Sequence, residues 1–157
     1  MGRRHKCRVP RWAGNPDDTY IRIFAAMQQS DIMRNLGGNE IKAYLACLAE
    51  AHNPDSRRML WQLLVEDEQL TKAEAQQLMS DYRLFVMPKS HVSLYYASAS
   101  ACNRIYTYIR HLIDAGLIDD VSVPPGTPAD ERVREIRRRQ AAHLPNIYRL
   151  SDRWRGD

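Results

Sequence analysis

Apolar residues recur at helical spacing along most of this chain and alternate in only a few short stretches. Tyr20, Ile23, Phe24 and Met27 share one helical face, and the segment opens at Asp17-Asp18, where two carboxylates suit a helix N-terminus. Gly37-Gly38 ends it. Asn39 is placed to cap the next helix, in which Ile41, Tyr44, Leu45 and Leu48 form an i, i+3, i+4, i+7 stripe running to His52. Asn53-Pro54-Asp55 breaks that helix. Residues 57–65 predict a short apolar helix, and Thr71 with Glu74 makes a capping box opening another, to about Asp81. Residues 82–87 read as a strand stopped by Pro88.

The pattern is most informative over residues 90–151. Residues 102–115 place Ile105, Tyr108, Ile109 and Leu112 on one face of a helix. The opposite face holds Asn103, Thr107, Arg110 and Asp114, flanked by Arg104 and His111. Gly116 stands at the C-cap position, and Leu117-Ile118 returns to the core. Strands are expected over 117–123 and 146–150, on either side of a loop. Ser90 to Ser100 would supply a support helix and turn, although its serines and tyrosines are weak helix formers. Inside the loop, Thr127 as cap and Pro128 at the first helical position open a helix over 129–141. That helix carries Val133 and Ile136 with Arg132, Arg134, Arg137, Arg138 and Arg139. The order helix, glycine, strand, loop, strand is the back half of a winged helix-turn-helix. The expected fold class is therefore mainly α, with extra helices and a small β-hairpin wing carrying a helical insertion.

Composition bounds the picture. A chain of 157 residues with 44% hydrophobic and 27% charged residues suits one globular domain and excludes wholesale disorder. We divide it into a flexible basic arm over 1–16 and a single winged-helix domain over 17–157. Within the domain, 17–81 is the helical part and 82–157 holds the helix-turn-helix and wing. No apolar run is long enough to span a membrane, and the basic start has no apolar segment after it, so the chain reads as cytoplasmic. Cys7, Cys47 and Cys102 are too few and too scattered for a disulfide framework. No metal-ligand pairing is visible among the five histidines, and neither metal nor cofactor is expected.

Charge is segregated. Residues 1–12 carry +5 and residues 126–157 carry +3 within a net charge of +4, so the intervening body is mildly acidic. Basic ends on an acidic body suggest a polyanionic partner. A recognition helix needs one apolar stripe to dock on its own domain and an opposite stripe of side chains that reach base edges and phosphates. Asn103, Arg104, Thr107, Arg110 and His111 meet that need. Arg134, Arg137, Arg138 and Arg139 in the wing, with Arg3 and Arg4 in the arm, are candidate phosphate contacts. The acids Asp114, Asp119 and Asp120 oppose binding but lie toward the far end of the helix. The expected partner is double-stranded DNA.

Other classes fare worse. Nucleophile elbows, P-loops and dinucleotide fingerprints are absent from the sequence, so an enzyme is not expected. Tyr95, Tyr96, Tyr106 and Tyr108 raise the thought of tyrosine-based strand cleavage, but core and interface packing accounts for them better. The alternative function is a helical protein-protein interaction or dimerisation module without DNA contact. Met59 to Val65, with Leu70, Leu78 and Met79, offers apolar surface for a homodimer.

Residues 148–155 (YRLSDRWR), following residues 105–118 (IYTYIRHLIDAGLI), resemble winged-helix proteins of phages, plasmids and integrated mobile elements. Those proteins pair a helix ending EL-x-x-x-GFI with a terminal strand ending in Y-x-LSDRW. Residues 31–48 (DIMRNLGGNEIKAYLACL) are similar to their opening helices. The resemblance implies duplex-DNA binding in transcriptional control or replication of a mobile element. Residues 55–88 and the arginine-rich wing depart from the pattern. Trp154 packing and Arg153 pairing are expected to lock the final strand.

Overall fold

The computed structural model describes residue 23, residues 25–124 and residues 126–155. Two short helices come first, α1 (Ala25–Gln28) and α2 (Asp31–Asn35). The sequence pattern predicts one longer helix here. Ser30 divides it, because its hydroxyl accepts from the Met33 N–H and caps α2. Tyr20, Phe24 and the basic arm lie outside the described residues.

Helix α3 (Gly38–His52) is capped at Gly37 rather than at Asn39. Its buried arc is Ala43, Tyr44, Ala46, Cys47, Leu48, Glu50 and Ala51, while Leu45 is exposed. Small residues at the centre of that arc let neighbouring backbones approach closely, which a stripe centred on Leu45 would not allow. Asn53 accepts from the Asp55 N–H and caps α4 (Pro54–Gln62), which therefore starts three residues ahead of the apolar run. The helix continues as a π turn over Leu63–Asp67. Helix α5 (Lys72–Met79) opens with the complete Thr71–Glu74 capping box.

Next come strand β1 (Leu84–Val86), a one-turn helix α6 (Lys89–Val92), the long helix α7 (Ala99–Asp114) and strand β2 (Ile118–Asp120). Helix α8 (Ala129–Ala141) interrupts the connection to β3 (Ile147–Leu150), and a 3₁₀ turn over Arg153–Arg155 follows. The support segment over 90–100 is thus a single helical turn followed by further turns, as its serine and tyrosine content favours. Thr127 does not cap α8. Its hydroxyl donates to the Pro124 carbonyl at 2.6 Å, and Pro128 precedes the first helical residue.

The described residues are mainly helical with one small antiparallel sheet, ordered β1-β3-β2. Leu84 pairs with Arg149 and Val86 with Ile147, while Ile118 pairs with Leu150 and Asp120 with Tyr148. All three residues of β1 are buried, because both faces of the sheet are covered. Phe85 joins a main core with Tyr44, Cys47, Ile105, Ile109, Leu112, Leu117, Tyr148 and Trp154. Leu84 and Val86 point the other way, into a second core with Leu60, Leu63, Leu64, Ala75 and Ile147. The apolar residues around Met59–Val65 that suggested a dimer face largely build this second core. Met59, Trp61, Val65, Leu70, Leu78 and Met79 are half-buried against it.

Candidate nucleic-acid interface

Helix α7 starts three residues earlier than its apolar stripe requires because the Ser98 hydroxyl accepts from the Ala101 N–H at 3.2 Å. Ile105, Ile109 and Leu112 are buried in the main core, and α7 packs along α3. The opposite face is open to solvent. Asn103, Arg104, Thr107, Arg110, His111 and Asp114 are all exposed on it. The structure therefore gathers five sequence-derived candidates on one surface: Asn103, Arg104, Thr107, Arg110 and His111.

His111 is not wholly free. Its Nδ1 lies 2.9 Å from a carboxylate oxygen of Glu40, in the first turn of α3. The hydrogen bond from His111 holds the Glu40 carboxyl below its ordinary range, helped by a backbone N–H. The imidazole thus bridges the exposed face of α7 to α3, and only part of the ring is left for a partner.

Two polar anchors hold the ends of α7, and the sequence pattern revealed only one of them. Ahead of the helix, Glu50 is completely buried. It accepts from the Tyr95 hydroxyl at 2.6 Å and from Asn53 at 3.3 Å, and its second oxygen lies 2.8 Å from His91 Nδ1. This ties α3 to α6 and to the turn before α7. Glu50 was legible in principle, since it sits three residues after Cys47 and seven after Ala43, in phase with the buried arc. Nearby, the Lys42 ammonium lies 4.6 Å from the centroid of the Tyr96 ring.

Behind the helix, Gly116 adopts φ +82°, the left-handed cap expected from sequence. Arg153 then donates from Nε to Asp119 at 2.7 Å and from Nη2 to the carbonyls of Ile113 and Ile118 at 2.9 and 3.0 Å. Trp154 is buried in the main core. Arg153 and Trp154 thus hold the segment that follows β3, as the sequence led us to expect. The pairing with Arg153 also compensates the Asp119 charge beside α7. Asp120 accepts from the backbone N–H and hydroxyl of Ser122.

In α8, the sequence-derived arginines divide. Arg134 and Arg137 are exposed. Arg138 is also exposed but donates to Glu135 through Nε and Nη2, at 3.0 and 2.7 Å. Arg139 is not a surface cation, and its assignment as a phosphate contact is corrected. It is 1% exposed and donates to Glu68 at 2.9 Å and to the Pro145 carbonyl at 2.8 Å. The physical reason is phase: Arg139 falls three residues after Ile136, on the side of α8 that faces the protein. Arg3 and Arg4 lie outside the described residues.

The tyrosines are engaged internally. The Tyr106 hydroxyl donates to the Met87 carbonyl at 3.0 Å, Tyr95 is held by Glu50, and Tyr96 is buried. Burial raises the phenols of Tyr95, Tyr96 and Tyr106 above the ordinary range, which opposes formation of a nucleophilic phenolate. Among the described residues there is no group of three or more His, Cys, Asp or Glu side chains arranged to hold a metal ion. No helix among them is long and apolar enough to cross a membrane. No family model, curated protein or solved structure matches this chain.

Proposed function

We propose that the protein binds double-stranded DNA sequence-specifically as a winged helix-turn-helix protein, with α7 as the recognition helix. The observation that carries this reading is the exposed row Asn103, Arg104, Thr107 and Arg110 on a helix whose other side is sunk in the core. These side chains suit base edges and phosphates, and the major groove, about 12 Å wide, admits a helix. The succession β1, α6, α7, β2, β3 with sheet order β1-β3-β2 supports the winged-helix reading. In that arrangement the β2–β3 connection is the wing and α8 its insertion.

Arg134, Arg137 and Arg138 on the outward side of α8 add phosphate contacts without reading sequence. Arg3 and Arg4 in the basic arm do the same. The biological role we infer, transcriptional control or replication of a mobile element, rests on the resemblance of the LSDRW segment. The test is a titration of random-sequence duplex at several salt concentrations, followed by selection of preferred sites. A steep fall in affinity with salt and an enriched site support the reading. Salt-independent binding, or no binding, refutes it.

A further inference from the structure

Arg153 lies forty residues beyond Ile113 in sequence, yet it closes the joint between α7 and the sheet. One nitrogen, Nη2, donates both to Ile113, in the last turn of α7, and to Ile118, the first residue of β2. Nε meets the carboxylate of the next residue, Asp119. The backbone on the Arg153 side is fixed as well. The Arg153 N–H donates to the Ser151 hydroxyl at 3.1 Å, and the Ser151 N–H donates to the Leu117 carbonyl at 2.9 Å. The segment after β3 therefore grips both sides of the Gly116 turn. The fit is close: a Cβ on Gly116 would stand 3.2 Å from Arg153 Cβ.

This joint is where α7 would pivot against the sheet. The same residue follows β3, the strand that returns from the α8 connection, so any movement of that strand is felt at the end of α7. A planar guanidinium meets two carbonyls and a carboxylate together, whereas a lysine ammonium acts as a single point charge. A cation at this end also faces the negative pole of the helix.

We propose that Arg153 is a positioning residue for DNA recognition. It sets the angle at which α7 leaves the sheet and couples that angle to the wing, so that base contacts from α7 and phosphate contacts from α8 form together. This inference rests on the DNA-binding reading above. Arg153 acts through α7 and makes no phosphate contact of its own.

The full chain carrying Arg153→Lys or Asp119→Asn is titrated, beside the wild type, with the selected duplex and with random duplex at several salt concentrations. Thermal melting is followed in parallel. Arg153→Lys is expected to weaken binding to the selected duplex about tenfold and to leave random-duplex affinity within about twofold. The salt slope is expected to stay unchanged. Asp119→Asn takes the charge from one leg of the clip while leaving an oxygen that can accept from Arg153, and it shifts the same ratio less. A fall of roughly 0.9 in the salt slope would make Arg153 a phosphate contact and overturn the proposal. Parallel loss on both duplexes, tracking the melted fraction, would reduce it to a stability role and overturn it too. Unchanged binding to both duplexes does the same. A wild type that fails to distinguish the two duplexes overturns the DNA-binding reading itself, and the proposal with it.

Discussion

Arg139 reaches from the inner side of α8 to Glu68, its Nη1 2.9 Å from the carboxylate, in the turn that ends the α4 segment. Its Nη2 is spent on the Pro145 carbonyl. Helix α8 is thereby fastened to the helical part of the molecule, and Arg134 and Arg137 are turned outward. Arg139→Met keeps the packed stem and removes the fork. Glu68, partly exposed, rehydrates, so the loss falls short of that for a fully buried pair. The expected cost is about 1–3 kcal/mol in urea denaturation. The salt slope for duplex binding should not change, and a fall of roughly 0.9 would return Arg139 to the list of phosphate contacts.

Glu50 carries a buried carboxylate that three side chains from two parts of the chain converge on. Glu50→Leu takes away the partner of the half-buried Tyr95 hydroxyl and of the half-buried His91 ring nitrogen. We expect a loss of about 1–3 kcal/mol. Hydrogen exchange should rise at the amides of residues 93–98, the turn that the cluster holds ahead of α7. Stability equal to wild type would show that the cluster is dispensable.

How much of this was legible in sequence depends on what each element relies on. Helix α7, its stripe and the Gly116 cap follow from local periodicity and local backbone chemistry, and all three were readable. The charged residues that turn inward were not. Arg139 and Glu50 look like solvent-face charges until their phase is compared with Ile136 and Cys47. Their partners, Glu68 and His91, lie 71 and 41 residues away, beyond any local pattern. The support segment over Ser90 to Ser100 was readable as a helix and turn but not in its bounds, because its serines and tyrosines are weak helix formers and α6 keeps only one turn. The cap falls at Gly37 instead of Asn39, since either residue suits a helix start.

Gly116→Ala forces a β-carbon into the left-handed conformation and against Arg153. The expected loss is about 1–3 kcal/mol, read by thermal or chemical denaturation. Ala at the exposed Gly38, which has open space and an ordinary φ in the first turn of α3, is the control and should be neutral or slightly stabilising.

Stability should fall on the alkaline side. Burial pushes the Tyr44 phenol up to about 12, and it pushes those of Tyr95 and Tyr148 well above the ordinary range. The folded state thus keeps protons that the unfolded chain releases near pH 10. Their contribution is complete below that pH and is lost as pH climbs toward the folded values. Glu40, Glu74 and Glu135 have depressed carboxyls, so their smaller contribution is present at neutral pH and lost as pH falls below their ordinary value of 4.5. The part of the phenolate absorbance that comes from Tyr44, Tyr95 and Tyr148 should rise only as circular dichroism collapses, above pH 10. Ionisation of all tyrosines with helicity intact would contradict this.

One comparison tests directly whether the exposed face of α7 reads duplex DNA. Wild type and the Thr107→Ala/Arg110→Ala double variant are titrated with the selected duplex and with single-base-pair changes in it. Both alanines face solvent on a helix held from its other side, so helicity and melting should be unchanged. The variant is expected to lose specific affinity, with about 1–3 kcal/mol from Arg110 as a base-edge contact. Discrimination is expected to relax at one or two base pairs. Unchanged affinity together with unchanged site preference would contradict a recognition role for α7.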